Sequence, residues 1–315
     1  MRLHTLAAAL LVLAASPALA ATARLEVAIT VDDLPANSTQ RDLAVHAEIT
    51  DKLVRGFVKH RIPAIGFVNE RKLEDDGQLK PQRVALLERW LDAGLELGNH
   101  SYSHPSLFRT PLDEVQVDVL RGEKVTRPLL EARGKTLTYF RHPYLNTGPD
   151  LETKTAFETF LGQHGYRVAP VTIDNSEWIY ARAYDRMVDR GDTEASQRIV
   201  DAYLTHMEAM FAYCEQQSEA LLGYQVKQTL LLHANRLNAD HLDRLVAMIK
   251  GRGYRFISLD EALKDKAYDR ADRYTGRSGI TWLHRWALTE GKSEAFFGQE
   301  PQAPAFVMEA SGIEQ

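Results

Sequence analysis

LELGNHSYSH, residues 95–104, sets an apolar, strand-like run directly against two histidines four positions apart. One turn of helix would bring His100 and His104 to a common face, close enough for both imidazoles to bind one metal ion. Residues 25–33, LEVAITVDD, repeat the pattern: an apolar run that ends in chemistry, here the adjacent carboxylates Asp32 and Asp33. Neighbouring side chains of a strand point to opposite sides, so the two carboxylates can take separate roles, one on a metal and one facing a water. Two histidines, one carboxylate and an open position form a common catalytic set for a divalent ion. The second carboxylate is then available as a base.

Working outward, strand-like runs at 63–68, 137–140, 166–173, 229–232 and 254–257 alternate with helix-like segments at 42–60, 81–93, 112–130, 151–164, 196–221 and 239–251. Repeated βα units predict a parallel sheet clothed in helices, either closed as a barrel or open and doubly wound. Asp32, Asp33, His100, Arg141, Asp174 and His233 each fall at or just beyond the C-terminal end of an expected strand. In a barrel that edge is a ring around one pocket, whereas an open sheet gathers its ligands in a single crevice. Contributions from so many strands favour the barrel. The alternation stops after about residue 266, and the aromatic-rich remainder, with Trp282, Trp286, Phe296 and Phe297, is short for a core of its own. It reads as an extension packed on the barrel.

With 315 residues, 44% hydrophobic and 26% charged, the chain can bury a full core. A formal net charge of −5 supplies no basic footprint, so nucleic acid is not an expected partner. The first twenty residues, MRLHTLAAALLVLAASPALA, have a basic start, a short apolar run and an Ala-Leu-Ala ending. They predict a cleavable signal cut after Ala20, a periplasmic or secreted product, and no stable membrane insertion after cleavage. The single cysteine, Cys214, cannot close an internal disulfide and reads as a small buried hydrophobe rather than a nucleophile. Neither a GxSxG elbow nor a GxxxxGK[ST] phosphate loop occurs, which sets aside two large hydrolase classes.

Three further stretches carry chemistry. In FRHPY, 140–144, Arg141 can hold a carboxylate by a bidentate pair and Pro143 stiffens the loop, while His142 has no role and is expected to meet solvent. In LLLH, 230–233, a protonated His233 can hand a proton to a leaving amine or alcohol. In DNSEW, 174–178, a carboxylate can raise the pKa of that histidine, and Trp178 offers a wall for a sugar ring.

Set in order, TVDD (30–33), HSYSH (100–104), RHPY (141–144), SEW (176–178) and LLH (231–233) resemble the motifs of the NodB-homology polysaccharide deacetylases, carbohydrate esterase family 4. Those enzymes carry a T-F-D-D-G-like motif, H-[ST]-x-x-H, R-x-P-[YF], a motif with Asp and Trp, and L-x-H. The resemblance implies a distorted (β/α) barrel over 21–265, with an insertion at roughly 179–225 and the extension at 266–315. It implies a metal-dependent deacetylase in which Asp33, His100 and His104 bind zinc or a similar divalent transition metal. Asp32 would be the general base acting on a metal-activated water, Arg141 would orient it, and His233 would be the general acid. The backbone N–H of Tyr144 would help hold the oxyanion, and Leu231 and Trp178 would line the acetyl pocket and groove. Substrates would be acetylated polysaccharides or oligosaccharides, N-acetyl before O-acetyl.

The chain departs from the family pattern at four places. Val31 replaces a phenylalanine. Leu34 replaces a glycine and is expected to reshape the pocket mouth. Glu177 stands where Asp usually precedes the Trp, so either Glu177 or Asp174 tunes His233. The 179–225 stretch bears on substrate choice. Two other readings stand beside the first: a catalytically silent carbohydrate-binding protein on the same scaffold, and a metal-dependent amidohydrolase for a small, non-polymeric amide. Oligomeric state is not legible.

Overall fold

The computed structural model describes residues 25–313, so the expected export signal lies outside the described residues. β1 (Leu25–Leu34) leads into α1 (Leu43–His60), whose first turn is capped by the Asp42 carboxylate accepting from the Ala44 N–H at 2.8 Å. β2 (Ile65–Val68) and a short hairpin, β3 (Glu74–Asp75) with β4 (Gln78–Leu79), precede α2 (Pro81–Asp92) and β5 (Glu96–Asn99). Then come α3 (Leu112–Arg121), α4 (Thr126–Glu131), β6 (Tyr139–Phe140), α5 (Leu151–Gln163) and β7 (Arg167–Val168). Two helices follow, α6 (Glu177–Asp189) and the long α7 (Thr193–Leu222), which ends at Gly223 in a left-handed conformation. β8 (Gln228–His233), α8 (Arg236–Gly251), β9 (Tyr254–Ile257) and α9 (Leu259–Ala262) complete the alternation, and α10 (Trp282–Thr289) and α11 (Ala305–Ser311) form the C-terminal part.

Every pairing in the main sheet is parallel, in the order β7-β6-β5-β2-β1-β8. β1 is its centre, buried on both faces from Val27 through Asp32, which explains a nearly continuous apolar run rather than an alternating one. β8 covers one edge of β1 from Val27 to Asp32, placing His233 beside Asp32. The other edge is shared end to end: β9 pairs with Leu25–Ala28 and β2 with Thr30–Leu34. Between β7 and β8, among the described residues, the circle is completed by a single bridge from Ile173 to Leu230. The fold is therefore a half-closed, distorted (β/α) barrel. Pro170, which has no N–H to donate, lies in the stretch where the expected 166–173 strand shortens to two residues and one bridge.

The expected helix over 112–130 is two helices. α3 stops at Gly122, where any side chain would collide with the backbone of Ser101 and Tyr102. α4 restarts on Glu70, whose buried carboxylate accepts the N–H groups of Val125 (2.9 Å) and Thr126 (2.7 Å). The 179–225 stretch is nearly all of α6 and the whole of α7, packed on each other and on α8. α11 lies on α6 and α10 on α7, while Trp282, Trp286 and Val307 join the main core. Cys214 is buried there as well. No helix among the described residues is long and apolar enough to cross a membrane.

Candidate active site

His100 and His104 converge without a helix. The chain leaves β5 in a loop where Ser101 and His104 both have positive φ, 65° and 64°. Non-glycine residues hold that conformation only when their surroundings impose it. Here the Asn99 carboxamide accepts the Ser101 N–H at 2.6 Å, the Ser101 hydroxyl accepts the His104 N–H at 3.0 Å, and Asp118 of α3 accepts the N–H groups of Tyr102 and Ser103 at 2.9 Å. The two rings meet edge to face, centroids 4.7 Å apart. His100 Nδ1 lies 2.8 Å from the Arg141 carbonyl, so Nδ1 carries the proton and Nε2 keeps a free lone pair.

At the end of β1, Asp33 has φ 71°, and its carboxylate joins the two histidines: one ligand atom from each of Asp33, His100 and His104 lies within 4.8 Å of the others. Tetrahedral ligands around zinc stand ~3.3 Å apart, so the set can close on an ion by contracting at most ~1.5 Å between any two members. Burial pushes both imidazoles down to about 4. Burial alone would raise Asp33, but the Lys72 ammonium and the two histidines outweigh it and hold the carboxyl well below its usual range. Two neutral imidazoles and an ionised carboxylate are the protonation states a divalent ion requires. The Asn37 amide donates to one Asp33 oxygen at 2.9 Å, and Lys72 Nζ stands 3.3 Å from the other.

Asp32 is 2% exposed, with one oxygen 3.6 Å from His100 Nε2. Its other oxygen has no hydrogen-bond partner among the described residues and stands 3.9 Å from Arg141 Nε. Burial raises the Asp32 pKa, with the Arg141 charge opposing. Arg141 is fully buried, donates from Nη2 to the Thr30 hydroxyl at 2.8 Å and lies over the Phe67 ring. Its Nε and Nη1 have no partner among the described residues. A buried base therefore faces a buried cation that has donors to spare.

Across β1, the Oε1 of Glu177 accepts the His233 backbone N–H at 2.6 Å and lies 3.2 Å from ring Nδ1. Asn238 and Asn235 also donate to this carboxylate, at 2.8 and 3.2 Å, fixing it from a third side. Burial would lower the His233 pKa, but the charge and hydrogen bond of Glu177 prevail and lift it to about 9. Glu177, not Asp174, is the carboxylate on the ring; Asp174 instead accepts the Asn175 N–H at 2.8 Å.

The structure thus brings Asp32, Asp33, His100, His104, Arg141, Glu177 and His233 to one end of the sheet. Tyr144 is 62% exposed, its ring 4.4 Å from that of His104, with φ 56°. Trp178 is 45% exposed on the first turn of α6, and Leu231 is buried in β8. Two expectations change. Leu34 does not shape the pocket mouth: it is buried and fills the space over Gly66 on β2. His142 does not meet solvent: it is buried between the Phe140 and Phe157 rings.

A cleft of about 1020 Å³ opens beside His104, walled by residues 36–41, the 69–77 stretch and 102–104, with Arg41, Arg71, Lys72 and Arg83 among its lining. Sequence reasoning missed Lys72 and Asn37, which lie outside the motifs that carry the chemistry. It also missed Thr30, an inward-facing strand residue whose hydroxyl both receives Arg141 and donates to the Leu230 carbonyl at 2.8 Å.

Residues 20–169 match the polysaccharide deacetylase family model. A peptidoglycan-N-acetylglucosamine deacetylase of Bacillus cereus is 28% identical over 153 residues, covering 49% of this chain and 46% of the relative. A peptidoglycan-N-acetylmuramic acid deacetylase of Bacillus subtilis is 24% identical over 219 residues, covering 69% of this chain and 67% of that protein. The chain spans less than half the length of the Bacillus cereus relative. Among solved structures, a mutant of a carbohydrate esterase family 4 pseudoenzyme from Bacillus anthracis, with restored enzymatic activity, superimposes with a TM-score of 0.50 at 17% identity. That match covers 76% of this chain and 68% of the other and speaks for the fold alone. Residues 20–169, just under half of the chain, are thus similar to the polysaccharide deacetylase family.

Proposed function

We propose that the protein is an exported, metal-dependent hydrolase that removes the N-acetyl group from an amino sugar of a polysaccharide or oligosaccharide. The observation that carries this reading is the convergence of Asp33, His100 and His104 within 4.8 Å, flanked by a buried carboxylate on one side and a carboxylate-bound histidine on the other. Asp33, His100 and His104 would hold a divalent transition ion, zinc or similar, which supplies an acidified water and polarises the acetyl carbonyl.

The chain's own residues do the rest. Asp32 takes the proton of the attacking water; burial makes it a stronger base than an exposed aspartate, and Arg141 orients it. The Tyr144 N–H donates to the oxygen on which negative charge develops. His233, protonated through Glu177, gives its proton to the leaving amine nitrogen as the C–N bond breaks. Leu231 lines the acetyl pocket and Trp178 stacks on the sugar. The N-acetyl assignment follows the substrates in the relatives' names, and export follows residues 1–20.

The test is acetate release from peptidoglycan fragments, chitin-type oligomers and acetylated xylan, measured with and without a chelator, alongside metal analysis of the purified protein. Release from the N-acetylated substrates that stops on chelation and returns with a divalent ion is expected. Bound metal absent from the protein, or release indifferent to chelation, would overturn the reading.

A further inference from the structure

Tyr144 and Leu145 are consecutive non-glycine residues with φ 56° and 50°. Two such residues in a row cost roughly 1–2 kcal/mol each and persist only where the surroundings over-determine them. The surroundings come from the far end of the chain. Arg285 of α10, fully buried, donates from Nη2 to the Leu145 carbonyl, from Nη1 to the Thr147 hydroxyl at 2.8 Å and from Nε to the Ile280 carbonyl at 2.9 Å. The Asn146 amide donates to the carbonyls of Gly276 (2.8 Å) and Arg277 (3.1 Å), and the Thr147 hydroxyl donates to the Tyr274 carbonyl at 3.2 Å. The Gly276 N–H returns a bond to the Gly148 carbonyl at 3.2 Å. At Gly279 the two backbones touch: an added Cβ would overlap the Tyr144 carbonyl oxygen and lie 2.7 Å from the Leu145 carbonyl carbon.

This strap is itself anchored. The Trp282 N–H donates to the Val171 carbonyl at 2.7 Å, next to the bridge that completes the barrel. The Arg285 charge is met by Asp272 at 3.4 Å, which also pairs with Lys154 of α5 at 2.8 Å. A buried guanidinium satisfied by the carbonyl and hydroxyl of one loop fixes that loop far more tightly than a surface ion pair would.

We propose that the C-terminal segment 272–285 positions the oxyanion-binding backbone, with Arg285 as the positioning residue and Gly279 as the contact that sets the distance. This rests on the deacetylase reading, in which the Tyr144 N–H serves the transition state. The C-terminal part is then a working component of the active site rather than an appended cover. A displacement of the order of 1 Å in a catalytic group can cost ~100-fold in rate, and loss of an oxyanion donor ~100–1000-fold.

The test uses the full chain carrying Arg285→Met, Arg285→Lys or Gly279→Ala. Expected for Arg285→Met and Gly279→Ala is a ~30–100-fold fall in kcat with KM within about twofold and metal stoichiometry unchanged, partly restored by Arg285→Lys. Amide hydrogen exchange should quicken at Tyr144–Asn146 in these two variants and not along β1 or β5. Should Arg285→Met fail to fold, Gly279→Ala, which deletes no hydrogen bond, carries the test. An unchanged kcat per metal-loaded molecule, or exchange at Tyr144–Asn146 equal to wild type, overturns the proposal. A wild type inert on every acetylated sugar defeats the deacetylase reading instead, and the exchange data then decide the positioning by themselves.

Discussion

Replacing Glu177 by Gln keeps the shape of the side chain that holds His233 and removes its charge. With Glu177 in place the imidazole is lifted to about 9 against burial. Without that charge only the Asp33 and Asp32 carboxylates still oppose burial, and the pKa falls toward the ordinary value of about 6.5. A raised histidine pKa means that the proton-donating form is full at low pH and is lost as pH rises through that pKa. At pH 8 the protonated fraction is ~0.9 for a pKa of about 9 and ~0.03 for about 6.5, so the variant should be ~30-fold slower. At pH 5.5 both proteins carry the proton, and the rates should approach each other. The assay is kcat/KM for acetate release from pH 5 to 9.5, with the melting temperature followed in parallel. The Glu177–His233 contribution to folding is also full below about 6.5 and lost as pH rises through about 9, so the stability difference should shrink toward alkaline pH. A variant-to-wild-type rate ratio that is the same at every pH would show that Glu177 acts only as a scaffold and would refute the acid assignment.

Lys72→Met removes a cation from beside a metal ligand. At ~5 Å in a water-like dielectric, a unit charge repels a divalent ion by ~1.7 kcal/mol, so metal should bind roughly 15- to 20-fold tighter, measured by competition with a chelating dye. Gly122→Ala forces the backbone of Ser101 and Tyr102 to move and should weaken metal binding by at least tenfold, while calorimetry should show a cooperative unfolding transition retained. Glu70→Gln halves the acceptor capacity that restarts α4, and should cost ~1–3 kcal/mol in urea unfolding with kcat unchanged.

Much of the barrel was legible because its central strand is buried on both faces, so Val27–Val31 had to be apolar apart from Thr30, and because chemistry at a parallel sheet's C-terminal edge converges. The histidine pair was legible for a reason that does not hold. A four-residue spacing suggests a helix face, whereas the rings meet across a loop with left-handed residues at Ser101 and His104. Both geometries bring side chains four apart together, and spacing does not distinguish them. The β3–β4 hairpin has a readable signal in Asp76–Gly77, two positive-φ residues at its turn, but its strands are two residues each, too short for an alternating pattern. Glu177 and Asp174 were indistinguishable in sequence; their roles separate only because Glu177 opens α6 beneath His233, while Asp174 closes on the neighbouring Asn175. Lys72 and Arg285 carried no local signal at all, since each acts on a segment distant in sequence.

The most direct measurement compares wild type with Asp32→Asn for bound metal and for acetate release from an N-acetylated oligosaccharide. With Asp33, His100 and His104 intact, the variant should keep a full equivalent of metal and lose at least ~100-fold in kcat. Acetate release at the wild-type rate by the metal-loaded variant would contradict the assignment of Asp32 as base, and a wild type that takes up no metal would contradict the site itself.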